Sequence, residues 1–124
     1  MKTNRILNLL VLLALLLTAV GCQPATTPEK PTEAKPFRVA MVLHGAINDK
    51  SWNEAGYNGL VKIKEELKVE TAYQEKVALA DAENAMRTFA SQGYDLVIGH
   101  GDEFSEAGKV VAAEFPNVKF AVVN

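Results

Sequence analysis

The sequence predicts an α/β protein built as a doubly wound parallel sheet, with about four strands and three helices between residues 37 and 124. Two observations favour this fold class. Short, continuous apolar runs, typical of strands covered on both faces, alternate with segments whose apolar residues recur at helical spacing. The connecting segments are short, as expected when parallel strands are joined by right-handed crossover helices.

The first strand and the first helix are predicted between residues 39 and 67. Residues 39–43 form an uninterrupted apolar run, Val-Ala-Met-Val-Leu. Ser51 is followed three residues later by Glu54, a spacing that predicts a capping box and a helix beginning at Ser51. The apolar face of this helix is expected at Gly56, Leu60, Ile63 and Leu67.

A second strand is predicted at residues 68–74, followed by a second helix with Asp81 as its N-cap. We expect Gly93 to end that helix, because glycine readily adopts the left-handed conformation in which many helices end. The apolar face of the second helix is expected at Ala82, Ala85, Met86, Phe89 and Ala90.

The third strand is predicted at residues 96–98, and the Gly-His-Gly sequence at residues 99–101 is expected to form a turn after it. A third helix should follow and should stop at Pro116, because proline disrupts a helix interior. A fourth strand is predicted at residues 118–123. The apolar face of the third helix is expected at Phe104, Ala107, Gly108, Val111 and Phe115.

The first residues of the chain do not follow this alternation. A cationic start with Lys2 and Arg5 precedes an apolar run at residues 6–20, the pattern of a secretory signal. The small residues before Cys22 make this junction resemble the bacterial lipobox, in which the cysteine thiol is lipidated. Residues 1–21 are therefore expected to be a lipoprotein signal peptide. An ordinary secretory signal followed by a free cysteine is the alternative.

Residues 22–36 contain four of the five prolines of the chain and show no apolar periodicity, which predicts a disordered linker behind the lipidated Cys22. Acyl chains on Cys22 would anchor the protein to the cell membrane, facing the extracytoplasmic side in the periplasm or at the cell surface. The expected organisation is thus a signal peptide, a lipidated cysteine with its linker, and one α/β domain at residues 37–124.

Composition excludes several classes of partner and site. The formal net charge is -2 at pH 7 and the sequence has no cluster of lysine and arginine, so we expect no nucleic-acid partner. A single cysteine forms neither an internal disulfide nor a cysteine-based zinc site. Two histidines are too few for a histidine-rich metal centre. We therefore expect no metal and no cofactor.

The sequence also lacks the motifs of common enzyme classes. It has no G-x-G-x-x-G fingerprint after the first strand, no P-loop and no G-x-S-x-G elbow. His44 and His100, together with Asp49 and Asp102, could form an acid–base cluster, but no nucleophile accompanies them. We therefore expect a protein that is not an enzyme.

In open α/β sheets, ligands bind beyond the carboxyl ends of the strands. The candidate ligand-binding residues expected there are His44, Asn48, Asp49, Ser51 and Trp52 in the first loop, Gly101 and Asp102 in the third loop, and Asn124 after the fourth strand.

Two of these candidates have alternative interpretations. Trp52, the single tryptophan of the chain, is either an aromatic platform for a planar or sugar ligand or a hydrophobic contact that closes the loop over the core. Asp49 either accepts hydrogen bonds from a ligand or complements the dipole of the following helix. The sequence leaves both pairs of alternatives open.

Residues 45–53, Gly-Ala-Ile-Asn-Asp-Lys-Ser-Trp-Asn, followed by Gly56 and Gly59, resemble the G-x-I-x-D-K-S-F-N start of the basic membrane protein (BMP) family of solute-binding lipoproteins. Residues 93–99 and 115–122 fit the same family. The resemblance implies a type I periplasmic-binding-protein fold, of which this chain would be the first lobe.

The resemblance also implies a function. A member of this family would bind a small-molecule ligand between two lobes and dock on the permease and ATPase of an ABC importer. In the purine nucleoside receptors of the family, an aromatic residue at the position of Trp52, usually phenylalanine, stacks on the base. Leu43 stands where those receptors have a base-reading aspartate, and Asp102 stands where many members have an aromatic residue. The implied ligand is a nucleoside or a related small polar ring compound.

The alternative function, from a different class, is a surface lipoprotein that acts as an adhesion or signalling module on the same fold. We also expect the sequence to be the front part of a longer protein, because the fourth strand runs to Asn124 with no closing structure. One lobe forms only half of a cleft, so residues 37–124 alone are expected to bind ligand weakly or not at all.

Overall fold

The computed structural model describes residues 35–124, and the predictions for the signal peptide, Cys22 and the linker up to residue 34 lie outside the described residues. Strands and helices alternate throughout the described part. Its elements are β1 (Arg38–Leu43), α1 (Trp52–Leu67), β2 (Glu70–Gln74), α2 (Ala82–Ser91), β3 (Leu96–His100), α3 (Ser105–Glu114) and β4 (Lys119–Val123). Short 3₁₀ turns at Leu79–Asp81 and Asp102–Phe104 lead into α2 and α3.

The four strands form one parallel sheet in the order β2-β1-β3-β4. The chain moves from β1 outward to β2 and then crosses back to place β3 on the other side of β1. The strand order therefore reverses between β1 and β3, where Leu43 lies opposite His100 in the register. In doubly wound sheets, the crevice at such a reversal is the usual ligand site.

Two apolar layers cover the two faces of the sheet. The residues of β1 alternate between them, with Ala40 and Val42 on one face and Met41 and Leu43 on the other. The first layer is completed by α2 and α3, through Ala82, Ala85, Met86, Phe89, Ala107 and Val111. Leu60 of α1 belongs to the second layer. The predicted doubly wound α/β fold, with four parallel strands and three helices, is confirmed.

Two boundaries at the ends of α1 differ from the prediction. Ser51 is the N-cap residue and α1 begins at Trp52. The Ser51 side chain makes no capping hydrogen bond, so the predicted capping box is wrong. At the other end, Lys68 adopts a left-handed conformation with φ 54°. Because that residue closes α1, β2 begins at Glu70 rather than at residue 68.

The third strand is longer than predicted. β3 continues through Gly99 to His100, so residues 99–101 do not form a turn. Only glycine fits at position 99 without a shift of its neighbours, because a Cβ there would lie 2.5 Å from the Cβ of Phe104. Phe104 is buried in the 3₁₀ turn. The chain leaves the strand at Gly101, whose φ of 129° strongly favours glycine.

The predicted end of α2 and its predicted N-cap residue are both confirmed. Gly93 has a φ of 79°, and its amide donates to the carbonyl of Ala90 while the Tyr94 amide donates to Phe89. These two bonds form a Schellman motif, which satisfies the last carbonyls of the helix. Asp81 is the N-cap residue of α2, although its side chain makes no capping hydrogen bond. In the described residues, no helix is long and apolar enough to cross a membrane.

Candidate functional site

The candidate site lies at the carboxyl edge of the sheet, where β1 and β3 end side by side. Residues 44–51, here named the Trp52 loop, connect β1 to α1, and Trp52 is the first residue of that helix. His100 is the last residue of β3 and pairs with Leu43 at the end of β1. Sheet pairing and the loop together bring two segments far apart in sequence to the place where the strand order reverses.

The Asp49 carboxylate organises the Trp52 loop. One oxygen accepts from the Ser51 amide at 2.8 Å and the Glu54 amide at 3.1 Å, and the other accepts from the Asn53 amide at 3.1 Å and its side-chain nitrogen at 2.8 Å. These bonds lower the pKa of Asp49 from 3.8 to about 2, with the side chain of Asn53 contributing most. Asp49 therefore caps α1 in place of Ser51, which supports the helix-complementing interpretation of this residue.

Further hydrogen bonds hold the loop against its neighbours. The Glu54 carboxylate accepts from the Lys50 amide at 3.0 Å, and the Asn53 side-chain oxygen accepts from the Gly45 amide at 3.1 Å. The segment after β2 also contributes, because the Glu75 carboxylate accepts from the Ile47 amide at 2.8 Å. The loop is thus fixed at several points before any ligand is present, which is the condition for a preorganised site.

Trp52 and His100 form a stacked pair. Their ring centroids are 4.4 Å apart and their planes differ by 19°. His100 Nε2 lies 2.9 Å from the Trp52 carbonyl oxygen, and since a carbonyl only accepts, Nε2–H is the donor. His100 is 4% exposed whereas Trp52 is 45% exposed. The indole therefore has one face on a buried imidazole and keeps nearly half of its surface open to solvent.

Gly56, one turn after Trp52, makes room for this imidazole. A Cβ at Gly56 would lie 2.5 Å from His100 Nε2 and 2.6 Å from Cε1, closer than such contacts occur. The imidazole accordingly rests directly on the backbone of α1. Helix α1 thus fixes the position of His100 through two of its residues.

The remaining predicted site residues lie along the same edge. Asn48, Asp49, Ser51, Asp102 and Asn124 are exposed. His44 is also exposed, and its Nδ1–H donates to the Val77 carbonyl at 3.2 Å. Gly101 is buried, and its amide donates to the Val123 carbonyl at 2.8 Å, which ties the end of β3 to the end of β4. Of these predicted residues, the structure brings Trp52 into direct ring contact with His100.

Sequence reasoning missed two contributors to the site and one contact. Gly56 was assigned only to the apolar face of a helix, and Glu75 to no site at all, although Glu75 follows the second predicted strand and therefore lies at the same edge. His100 was considered as part of an acid–base cluster, but its stacking on Trp52 was not predicted. The position of Glu75 after a strand was the available signal. Within residues 35–124, no group of three or more histidine, cysteine, aspartate or glutamate side chains is arranged to hold a metal ion.

Comparisons with known proteins place the chain in a family. The family model described as "ABC transporter substrate-binding protein PnrA-like" matches residues 37–124. "Transcriptional activator protein med" of Bacillus subtilis is 32% identical over 96% of this chain and 36% of its own length. "Basic membrane protein A" of Borreliella burgdorferi is 31% identical over 98% of this chain and 34% of its own length.

A third relative, described as an uncharacterized lipoprotein of Pyrococcus abyssi, is 33% identical over 93% of this chain and 29% of its own length. Among solved structures, an ABC transporter solute-binding protein from Conexibacter woesei is 33% identical, with a TM-score of 0.64, over 68% of this chain and 28% of that chain. The expected likeness of fold to solute-binding proteins is thereby confirmed. The chain spans about a third of the length of the curated relatives it matches.

Proposed function

Because the chain belongs to the Bmp family of PnrA-like ABC transporter substrate-binding proteins, we propose that residues 37–124 are the N-terminal lobe of a solute receptor. The receptor binds a small polar ring compound between two lobes and presents it to an importer. The observation that carries this proposal is the half-exposed Trp52, held on His100 where the strand order reverses.

Several contacts support a planar ligand. His100 covers one face of the indole, so the open surface of Trp52 lies on the opposite face and the ring edge. An aromatic or heteroaromatic ring stacked there would gain about 0.5–1.5 kcal/mol beyond the burial of its area. The exposed polar groups along the same edge, from His44 to Asn124, are the candidates for hydrogen bonds to the rest of the ligand.

A nucleoside is the proposed ligand class, with one difference from the base-reading pattern of nucleoside receptors. Leu43 is fully buried among the apolar residues beneath α1. That position therefore offers no polar group to a base, and Asp49 has its oxygens engaged within the loop. In this receptor, the base would be recognised mainly by stacking, with hydrogen bonds supplied by the exposed residues Asn48, Ser51 and Asp102.

The test uses the single tryptophan of the chain as its own probe. Adenosine, guanosine, inosine and uridine are titrated into the millimolar range while the fluorescence and the indole N–H resonance of Trp52 are followed. Stacking should quench the emission and shift the resonance, whereas ribose should do neither. Trp52→Phe should preserve adenosine binding in a thermal-shift assay and Trp52→Ala should weaken it. With the full-length protein, unchanged Trp52 signals and unchanged Tm with all four nucleosides would exclude the nucleoside class.

Transport follows from closure of the two lobes on the ligand. Hinge closure buries the ligand and creates a surface that differs from the open form, which is how binding can be communicated to a membrane complex. The proposed partners are the permease and the ATPase of an ABC importer, and we propose no catalytic step for the receptor itself. A permease gene and an ATPase gene beside the gene for this chain, with ligand-dependent copurification of the permease, are the expected findings.

We further propose a lipid anchor at Cys22, which would keep the receptor at the extracytoplasmic face of the membrane. The cationic and apolar start, the small residues before Cys22 and the proline-rich segment after it support this proposal. Cells that express the full chain should incorporate labelled palmitate into it and retain it in the membrane fraction. Cys22→Ser should abolish the label. Persistent labelling of Cys22→Ser would refute this assignment of the anchor.

A signalling role on the same fold is the second candidate function. It is favoured by the name of the Bacillus subtilis relative, which describes a transcriptional activator protein. The two functions differ in their partners. Absence of a neighbouring permease and ATPase, together with binding to a protein partner that no nucleoside alters, would favour signalling over transport.

A further inference from the structure

We propose that His100 is a positioning residue of the ligand site. It stacks on one face of the Trp52 indole and holds the ring in place, so that a ligand stacks only on the opposite face. This proposal rests on the proposed function, because it takes Trp52 as the ligand platform. It assigns to His100 a part in binding that requires no direct contact between the imidazole and the ligand.

His100 holds Trp52 at two points. Its ring stacks on the indole with centroids 4.4 Å apart, and its Nε2–H donates to the Trp52 carbonyl oxygen at 2.9 Å. The first contact constrains the side-chain rotation of Trp52, and the second fixes the backbone at the start of α1. One residue therefore controls both the position and the orientation of the platform.

His100 is itself held between neighbouring strands and against α1. Its strand lies between two others, with Leu43 and Val123 as register partners. Its imidazole rests on the bare backbone at Gly56, where a Cβ would come within 2.5 Å of Nε2. With 4% of its surface exposed, the residue is buried in this position.

The consequence for binding is preorganisation. Ordering a mobile side chain on binding costs conformational entropy, and an indole already stacked on a fixed ring has lost that freedom beforehand. Without the imidazole, Trp52 would sample further rotamers and expose its second face. Such a site would bind an aromatic ligand more weakly and would let it stack on either face.

The experiment compares four forms of the full chain: wild type, His100→Ala, His100→Phe and His100→Gln. Phenylalanine keeps a ring but not the N–H donor, whereas glutamine keeps a donor but not the ring. Tyr73→Leu is the matched control, because it removes the edge-to-face contact between Tyr57 and Tyr73 and leaves the Trp52 stack untouched. The readouts are acrylamide quenching of Trp52 without ligand and adenosine affinity from the indole N–H resonance.

In His100→Ala and His100→Gln, we expect Trp52 to become about twice as accessible to acrylamide and adenosine to bind up to about ten-fold more weakly, the factor that corresponds to ~1.4 kcal/mol. His100→Phe should return both quantities to within about two-fold of wild type, since stacking between rings is retained. Tyr73→Leu should leave both unchanged.

Three results would overturn the proposal. The first is wild-type accessibility and affinity in His100→Ala. The second is rescue by glutamine but not by phenylalanine, which would assign the effect to the hydrogen bond alone. The third is equal accessibility and affinity in His100→Phe and His100→Gln. This comparison decides the question if His100→Ala fails to fold. Failure of adenosine to bind wild type would instead exclude adenosine as the ligand, and the acrylamide comparison would still test the positioning of Trp52.

Discussion

Asp49 illustrates how one side chain gives the Trp52 loop its shape. Sequence analysis left two roles open for it, and the structure supplies four hydrogen bonds that all serve the start of α1. A serine at the N-cap position usually accepts a hydrogen bond from the first amides of the helix. Here Ser51 does not, and the carboxylate two residues earlier accepts these bonds instead. The platform residue Trp52 is thus placed by a capping interaction rather than by the packing of its own ring alone.

Replacing Asp49 by asparagine should destabilise the fold at neutral pH. The amide nitrogen introduced by Asp49→Asn would face donors, since each carboxylate oxygen now accepts two N–H groups. The pKa of Asp49 is lowered from 3.8 to about 2 in the folded chain, so the charged carboxylate stabilises the fold above pH 4 and loses this effect as the pH falls towards 2.

The measurement is the Tm of both forms between pH 7 and pH 2, followed by circular dichroism. Asp49→Asn should melt a few degrees below wild type at pH 7, and the difference should shrink as the pH falls through the range between 4 and 2. A difference that grows with acidity would contradict the assigned role. Asp102→Asn is the control, because Asp102 makes no corresponding hydrogen bonds among the described residues.

At the scale of residues, the sequence predicted where Trp52 would lie but not what it would touch. The position followed from local patterns, namely an apolar strand and a helix start. His100 lies 48 residues away from Trp52, and their contact depends on the parallel pairing of β1 with β3. Local patterns contain no information about such pairing, so the stacked pair became visible only in three dimensions.

At the scale of elements, α1 contains two glycines in its interior, and the structure distinguishes them. Glycine costs about 0.8–1 kcal/mol relative to alanine inside a helix. At Gly56 a Cβ would collide with the imidazole of His100, whereas at Gly59 a Cβ would meet nothing within 4 Å. Only the first glycine therefore has a packing reason to be present in the described structure.

The two alanine substitutions should consequently have opposite signs. Gly59→Ala should stabilise the protein by about 0.5–1 kcal/mol, because helix propensity acts without a new contact. Gly56→Ala should destabilise it by up to about 2 kcal/mol, since an overpacking cost of about 1–3 kcal/mol outweighs the gain of about 0.8–1 kcal/mol in helix propensity. Urea unfolding followed by the helical circular dichroism signal measures both values. Stabilisation by Gly56→Ala would show that His100 can move away at little cost.

The same contrast between local and distant information explains which element boundaries were predictable. Gly93 ended α2 as expected, because a Schellman motif is formed by residues adjacent in sequence. The third strand was predicted too short, since glycines at positions 99 and 101 suggest a turn. Gly99 belongs to the strand because it pairs with Val42 of β1 and Val122 of β4, and both partners are distant in sequence.

At the scale of the whole molecule, fold class was predictable and strand order was not. Apolar composition identified β1, β3 and β4 as strands, yet it could not tell a central strand from an edge strand. β4 is as apolar in sequence as its neighbours but lies at the edge of the sheet, with Val122 37% and Val123 44% exposed. Only the pairing reveals that β1 and β3 are central and that the candidate site lies between them.

One lobe should bind nucleosides weakly. Small-molecule sites bury 70–90% of a ligand, and a single exposed indole face at the edge of a sheet contacts one side of it only. For residues 37–124 alone we expect a Kd in the millimolar range, weaker than about -5 kcal/mol in binding free energy. Calorimetry with adenosine provides the measurement. Micromolar affinity of this segment would contradict a site shared between two lobes.

Trp52, Gly56 and Leu60 follow one another at intervals of four along α1, so they lie on the same side of the helix. The first is at the open edge of the sheet, the second touches His100, and the third is 2% exposed in the core. A ligand that restrains Trp52 therefore also opposes local opening of the helix. Amide hydrogen exchange should slow along α1 as far as Leu60 on ligand binding and stay unchanged in α2. Ligand binding at the carboxyl edge of the sheet would then be detected as slower exchange in the core.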